Sequence, residues 1–193
     1  MPDMIKDGTG KGYVARVDST NRLRTYAKSA SIQHVVSEDD QKAFQVIGTA
    51  TLSSGTVIPL HITNDNSEEN LVITYLRHQV IGASGGTSFP NVNNYFSVRL
   101  GRTYTSGGAA STPVNVFGGS GQLSGVTCYQ TDPTLGGTAL EIDRWYTKAD
   151  GDMNTFNKEG SLIIPPNKTM EVAYVGDRTG GTVYTRISFI LGS

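Results

Sequence analysis

A period of two along the chain constrains its fold more than any other feature. From about residue 30 onward, short runs with apolar side chains at alternate positions recur roughly every ten to fifteen residues, and helical periodicity is nearly absent. Phe44, Val46, Ala50 and Leu52 share one parity. Ile58, Leu60 and Ile62 alternate with Val57, Pro59 and His61, and Phe96, Val98 and Leu100 alternate with Ser97 and Arg99. Successive side chains of an extended chain point to opposite faces, so each run predicts a strand with one dry side. Residues 71 to 81 are apolar on both parities and predict a central strand covered on both faces. Val114 and Val116 lead into a Gly-rich loop, and residues 125 to 130 form another strand-like run. Residues 170–175 and 183–191 flank Gly176-Asp177-Arg178-Thr179-Gly180-Gly181 in the manner of a hairpin. Helical readings are confined to a short capped turn at 37–41 and one or two turns over 141–146.

Eight or more short antiparallel strands joined by Gly- and Ser-rich loops predict an all-β antiparallel β-sandwich, with a jelly roll as the leading topology. Composition agrees: charged residues make up 17% of the 193 residues and Gly accounts for 23 of them. The body of this fold is expected over residues 31–193. Residues 1–30 differ, holding few large apolar side chains. There Lys6-Asp7-Gly8-Thr9-Gly10-Lys11-Gly12 reads as flexible backbone, followed by two short alternating runs, 13–17 and 22–27, on either side of the turn-prone Asp18-Ser19-Thr20-Asn21. A two-stranded ribbon this polar is marginal by itself. It predicts an N-terminal arm that lies on a partner. Lys6, Lys11, Tyr13, Arg16, Arg22, Arg24 and Tyr26 are the candidate partner-binding residues, because the cations cluster there while the rest of the chain balances them with acid.

Charge and motif spacing narrow the chemistry. With 16 basic against 17 acidic residues the net charge is −1, and the basic stripe that nucleic-acid binding calls for is missing. Cys128, the only cysteine, sits in a strand-like run and reads as a buried inert thiol. Lys11 is followed by Gly12 rather than Ser or Thr, so Gly8-Thr9-Gly10-Lys11-Gly12 is not a phosphate loop. Asp150-Gly151-Asp152-Met153-Asn154 has calcium-loop spacing at its start, but Thr155 and Ser161 stand where that loop needs Gly and Glu. Asp and Asn are ordinary turn formers as well. His34, His61 and His78 are widely spaced, so no metal ligands are assigned. His78 shares parity with Leu76 and Val80 and reads as a packed, hydrogen-bonded core residue. Gly119-Ser120-Gly121 lacks the spacing of a nucleophile elbow, and Glu68/Glu69, Asp39/Asp40 and Glu141/Asp143 read as solvated pairs. Neither catalytic residues nor a cofactor are therefore expected. The opening segment has no apolar signal-peptide core and no apolar stretch approaches the roughly 20 residues of a membrane span, so synthesis in a cytoplasm is expected and no membrane partner.

A resemblance extends this reading. The phrase Ile5-Lys6-Asp7-Gly8-Thr9-Gly10-Lys11-Gly12-Tyr13-Val14-Ala15-Arg16-Val17-Asp18-Ser19-Thr20-Asn21-Arg22-Leu23 resembles the opening of virion proteins from tailed bacteriophages, in which such a segment leads into a β-rich body. Gly160-Ser161-Leu162-Ile163-Ile164-Pro165-Pro166-Asn167-Lys168-Thr169 is similar to a strand–Pro-Pro–turn segment of the same group. The resemblance implies a non-enzymatic decoration or cement protein on the capsid exterior. Its partners would be the major capsid protein and its own copies, a trimer favoured over a dimer. The alternative is a carbohydrate- or receptor-binding sandwich of a phage fibre or tail, using Tyr13, Tyr26, Tyr95, Tyr104, Tyr129, Trp145 and Tyr146 as a stacking platform. A hydrolase on the same scaffold is disfavoured, since no paired, buried acid is evident.

Overall fold

The structure, a computed structural model, describes residues 4–6, 14–17, 23–24 and 41–192 apart from 87 and 119, with side chains from 41 onward except those of 159 and 160. The chain divides into two compact units, Met1–Ile32 and Gln33–Ser193. In the first unit, β1 (Met4–Lys6), β2 (Val14–Val17) and β3 (Leu23–Arg24) form an antiparallel sheet in the order β1-β2-β3. Residues 4–6, expected to be irregular at Lys6, thus supply a third strand, with Ile5 opposite Ala15 and Arg16 opposite Arg24. The alternating pattern located β2 and β3. It passed over β1, which runs straight into the Gly-rich stretch after Lys6.

The second unit contains no helix among the described residues. Its strands are β4 (Ala43–Thr51), β5 (Gly55–Asn64), β6 (Asn70–Ile81), β7 (Tyr95–Leu100), β8 (Thr103–Ser106), β9 (Ala109–Ser111), β10 (Val114–Asn115), β11 (Val126–Gln130), β12 (Thr134–Gly136), β13 (Leu140–Tyr146), β14 (Met153–Ile164), β15 (Thr169–Gly176) and β16 (Thr182–Gly192). They build a five-stranded sheet, β10-β4-β16-β6-β14, packed against a six-stranded sheet, β13-β7-β15-β5-β11-β9, with β8 and β12 paired as a separate ribbon. The chain is an all-β antiparallel sandwich. Its eight longest strands divide equally between the layers: β4, β6, β14 and β16 belong to one sheet, β5, β7, β13 and β15 to the other, with a change of sheet at every step except β7 to β13.

The inward parity of each strand makes the core. Phe44, Val46, Ala50, Leu71, Ile73, Leu76, Val80, Val183, Ile187 and Phe189 from the five-stranded sheet meet Leu60, Ile62, Phe96, Val98, Met170, Val172 and Tyr174 from the other. Phe44 and Phe189 are register partners whose rings stack with centroids 5.6 Å apart. Each such side chain stabilises the fold by roughly 1.5–3 kcal/mol through burial. Gly48 lies on the same inward parity, and a Cβ there would stand 2.2 Å from the Pro59 carbonyl oxygen, so only glycine lets β4 cross β5 this closely.

Four sequence expectations are corrected. Residues 170–175 and 183–191 are not arms of one hairpin: β15 pairs with β5 and β7, and β16 with β4 and β6, so the turn between them carries the chain from one sheet to the other. Turn chemistry specifies a reversal of direction, and it leaves open whether the returning strand pairs with its predecessor or passes over it. Residues 141–146 are extended, because β13 pairs along β7 and its Trp145 lies opposite the buried Phe96. Ile58 does not share the core face of Leu60, since a register shift between Val172 and Tyr174 places Tyr174 opposite Val57 and turns Val57 inward instead. Finally, β6 is covered on one face only. Leu71, Ile73, Leu76, His78 and Val80 are buried, whereas Arg77, Gln79 and Ile81 stay at least partly exposed. The capped turn expected at 37–41 lies mostly outside the described residues.

Candidate functional site

The two sheets carry very different outer surfaces. Across the six-stranded sheet a polar row runs from strand to strand, with Tyr129 opposite His61, His61 opposite Glu171, Glu171 opposite Arg99 and Arg99 opposite Glu141. Side chains directly opposite one another share a face and interact, so the alternation of sign along the row is stabilising. Arg102 Nε donates to Glu171 Oε2 at 2.9 Å, and Arg99 Nη1 lies 3.7 Å from Glu171 Oε1. Arg99 Nε donates to Ser97 Oγ at 3.1 Å, and Ser97 Oγ donates in turn to Glu141 Oε2 at 2.6 Å. Arg144 Nη2 sits 2.7 Å from Glu141 Oε1 and its guanidinium lies over the Tyr95 ring.

The β8 segment closes over this row. Arg102 accepts a hydrogen bond from His61 Nε2 at its carbonyl, 3.1 Å away, and Tyr104 stacks on Tyr129 with ring centroids 3.5 Å apart. His61 and Glu171 are buried in consequence. Burial holds His61 below the usual histidine range, keeping it neutral. Burial also pushes the Glu171 carboxyl upward, against the opposite pull of Arg102 and Arg99. The Ser97 hydrogen bond, with Arg144, holds Glu141 low. Charges of opposite sign neighbour one another along this buried row, while Glu171 Oε1 and His61 Nδ1 lack a hydrogen-bond partner.

The outer face of the five-stranded sheet is laid out in register too. One row reads Val114, Gln45, Ser188, Tyr75, Asn157; the next reads Ile47, Arg186, Arg77, Thr155; a third reads Thr49, Tyr184, Gln79, Met153. Arg186 and Arg77 therefore face each other across β16 and β6, and among the described residues no carboxylate pairs with either. Uncharged groups hold them instead. Arg77 Nη2 donates to Tyr75 Oη at 3.2 Å, with the guanidinium over the Tyr75 ring, and Arg186 Nη2 donates to Gln45 Oε1, which Gln45 anchors by donating from Nε2 to Ser188 Oγ at 3.2 Å. The Arg77 hydrogen bond lowers the Tyr75 phenol below its usual range. Around the cations Ile47 is 52% exposed, Met153 56% and Ile81 44%, with Tyr184 beside them. A shallow groove of about 210 Å³ lies on the apolar side of the arginine pair and another of about 370 Å³ on the polar side; both are lined by Arg77 and Arg186. Arginine, tyrosine and methionine, residue types enriched at protein interfaces, thus meet in one exposed patch.

The residues singled out by sequence fall as follows. Lys6 lies in β1, Arg16 in β2 and Arg24 in β3, and Arg16 and Arg24 are register partners. Lys11, Tyr13, Arg22 and Tyr26 lie outside the described residues, as does His34. Cys128 is buried, and burial pushes its thiol up to about 12. His78 is held in the core by Phe96, Trp145 and Phe156, with Nδ1 3.2 Å from Thr185 Oγ1, and burial lowers it to about 3. Asp150 accepts from the backbone N–H groups of Gly82 and Ala83 at 3.1 and 3.0 Å, tying the β13–β14 connection to the end of β6. Sequence reasoning passed over Arg77, Arg186, Ile47, Tyr184 and Met153. The available signal was Arg77 and Gln79 at alternate positions within an otherwise apolar run. No family model, curated protein or solved structure matches this chain.

Proposed function

We propose that the protein is a structural virion component, a decoration or cement protein that binds the outer surface of a bacteriophage capsid and stabilises it. The observation that carries this reading is the division of the chain. A small three-stranded unit bearing Lys6, Arg16 and Arg24 accompanies a sandwich with its own extensive core. The strands of the small unit are only two to four residues long, and short strands of this kind are suited to completion by a partner's sheet edge. The major capsid protein is that partner in this proposal, and copies of the chain, as a trimer, form the assembly on the shell. The jelly-roll form of the body is supported by strand order: the first long strand, β4, lies beside the last, β16, in β4-β16-β6-β14, and the remaining four run β13-β7-β15-β5.

The carbohydrate-binding alternative needs a shared aromatic platform. Tyr104 and Tyr129 instead stack near one edge of the six-stranded sheet, Tyr95 and Tyr146 meet near the opposite edge, and Trp145 packs inward on Phe156. Purified virions containing the chain test the proposal: it should be present at a fixed copy ratio to the major shell protein. Deleting residues 1–28 should leave a folded body that shells no longer retain. Shell binding unchanged by that deletion would remove the role assigned to the first unit.

A further inference from the structure

We propose that the outer face of the five-stranded sheet is a second docking surface, built to seat a carboxylate of a partner protein between Arg77 and Arg186; the partner is the shell of the preceding proposal, on which this inference rests. Arg77 and Arg186 are unfavourably placed. Like charges directly opposite each other on neighbouring strands destabilise a sheet, yet Arg186 and Arg77 are register partners on β16 and β6. The equivalent row on the other sheet neutralises each cation with a glutamate. On this face, among the described residues, the arginines are instead oriented by Tyr75 and Gln45, neutral groups that fix the guanidinium planes. Two pre-positioned guanidinium forks match a carboxylate in geometry as well as in charge.

The surroundings identify the class of partner. Ile47, Met153, Ile81 and Tyr184 flank the pair on one side, and Gln45, Ser188 and Thr74 line the groove on the other. A nucleic acid would need several phosphate contacts along a basic track, whereas two cations ringed by exposed apolar side chains suit a protein segment. That segment carries an aspartate or glutamate with an apolar neighbour. A second copy of the same face cannot be the occupant, because it would bring two further arginines against these two. Held together with the first unit's contact, a modest surface of this kind raises retention through effective concentration.

The test uses the full chain and shells that lack it. Wild-type protein should bind. The double variant R77Q/R186Q should bind at least tenfold more weakly while unfolding at the same or a higher temperature, since it relieves a repulsion; R186Q alone serves if the double variant misfolds. With p-benzoylphenylalanine at position 47, illumination should join the chain to an acidic segment of the shell protein, and the same probe at position 68 should not. Equal binding by wild type and R77Q/R186Q would overturn this inference and leave the capsid proposal standing. Cross-linking only to another copy, or to residues 1–32 of the same chain, would overturn it as well. Failure of the wild type to bind at all would remove both.

Discussion

The two outer faces of the sandwich began with the same difficulty, charged side chains on a pleated sheet, and resolved it differently. On the six-stranded sheet Glu171 and Glu141 alternate with Arg99, and Arg102 reaches back over the row, so that each charge has an opposite neighbour and the centre is sealed. On the five-stranded sheet two arginines face each other with no carboxylate among the described residues, and the surrounding apolar side chains remain open to solvent. The first pattern is costly to break once formed, because removing either partner leaves a buried charge uncompensated. The second leaves the like-charge repulsion of Arg77 and Arg186 in place, which is the basis of the proposed docking role. Register alone thus separates a row in which opposite charges meet from one in which like charges meet.

Acid titration provides the largest expected effect, and it probes the interior and the covered face, where His78, His61 and Glu171 are shifted. His78 titrates near 3 in the fold against 6.5 when unfolded. As pH falls below about 6.5 the unfolded chain takes up a proton that the folded chain refuses, so stability declines until about pH 3, by on the order of 4 kcal/mol. His61 acts in the same direction, and the raised Glu171 opposes both, since the fold accepts its proton earlier than the unfolded chain does. Denaturant midpoints measured from pH 7 to 3 should show this decline, and His78→Phe should flatten it; an equally steep decline in that variant would assign the pH dependence elsewhere.

Breaking the covered row comes next. Glu171→Ala strands Arg99 and Arg102 beside a buried cavity and should cost about 3 kcal/mol in urea unfolding at neutral pH. A loss below about 1 kcal/mol would mean that the row is no better satisfied than the open face, and the contrast would fail. The smallest effect has the opposite sign. Arg186→Glu places a carboxylate opposite Arg77 and should stabilise the fold by about 0.5 kcal/mol, since a half-exposed cross-strand pair is worth little more. Destabilisation there would show that the arginine pair already serves the fold.

Sequence by itself determined the class of structure. The period of two in 44–52, 96–100 and 183–191 forces extended chain with one dry side, and the inward residues named by that parity are the ones found in the core. It also located β2 and β3 and placed His78 and Cys128 indoors. Tertiary structure decided the rest, because alternation says which side chains are on one face of a strand and nothing about which strand lies next to it. Whether residues after Gly176 return to β15 or cross to β4 and β6, whether Ile58 or Val57 turns inward at a bulge, and whether Arg77 meets Glu or Arg across the sheet all depend on pairing between segments distant in the chain. The candidate site is a property of that pairing. Arg186 and Arg77 lie more than a hundred residues apart in sequence, and only the register of β16 against β6 brings their like charges together.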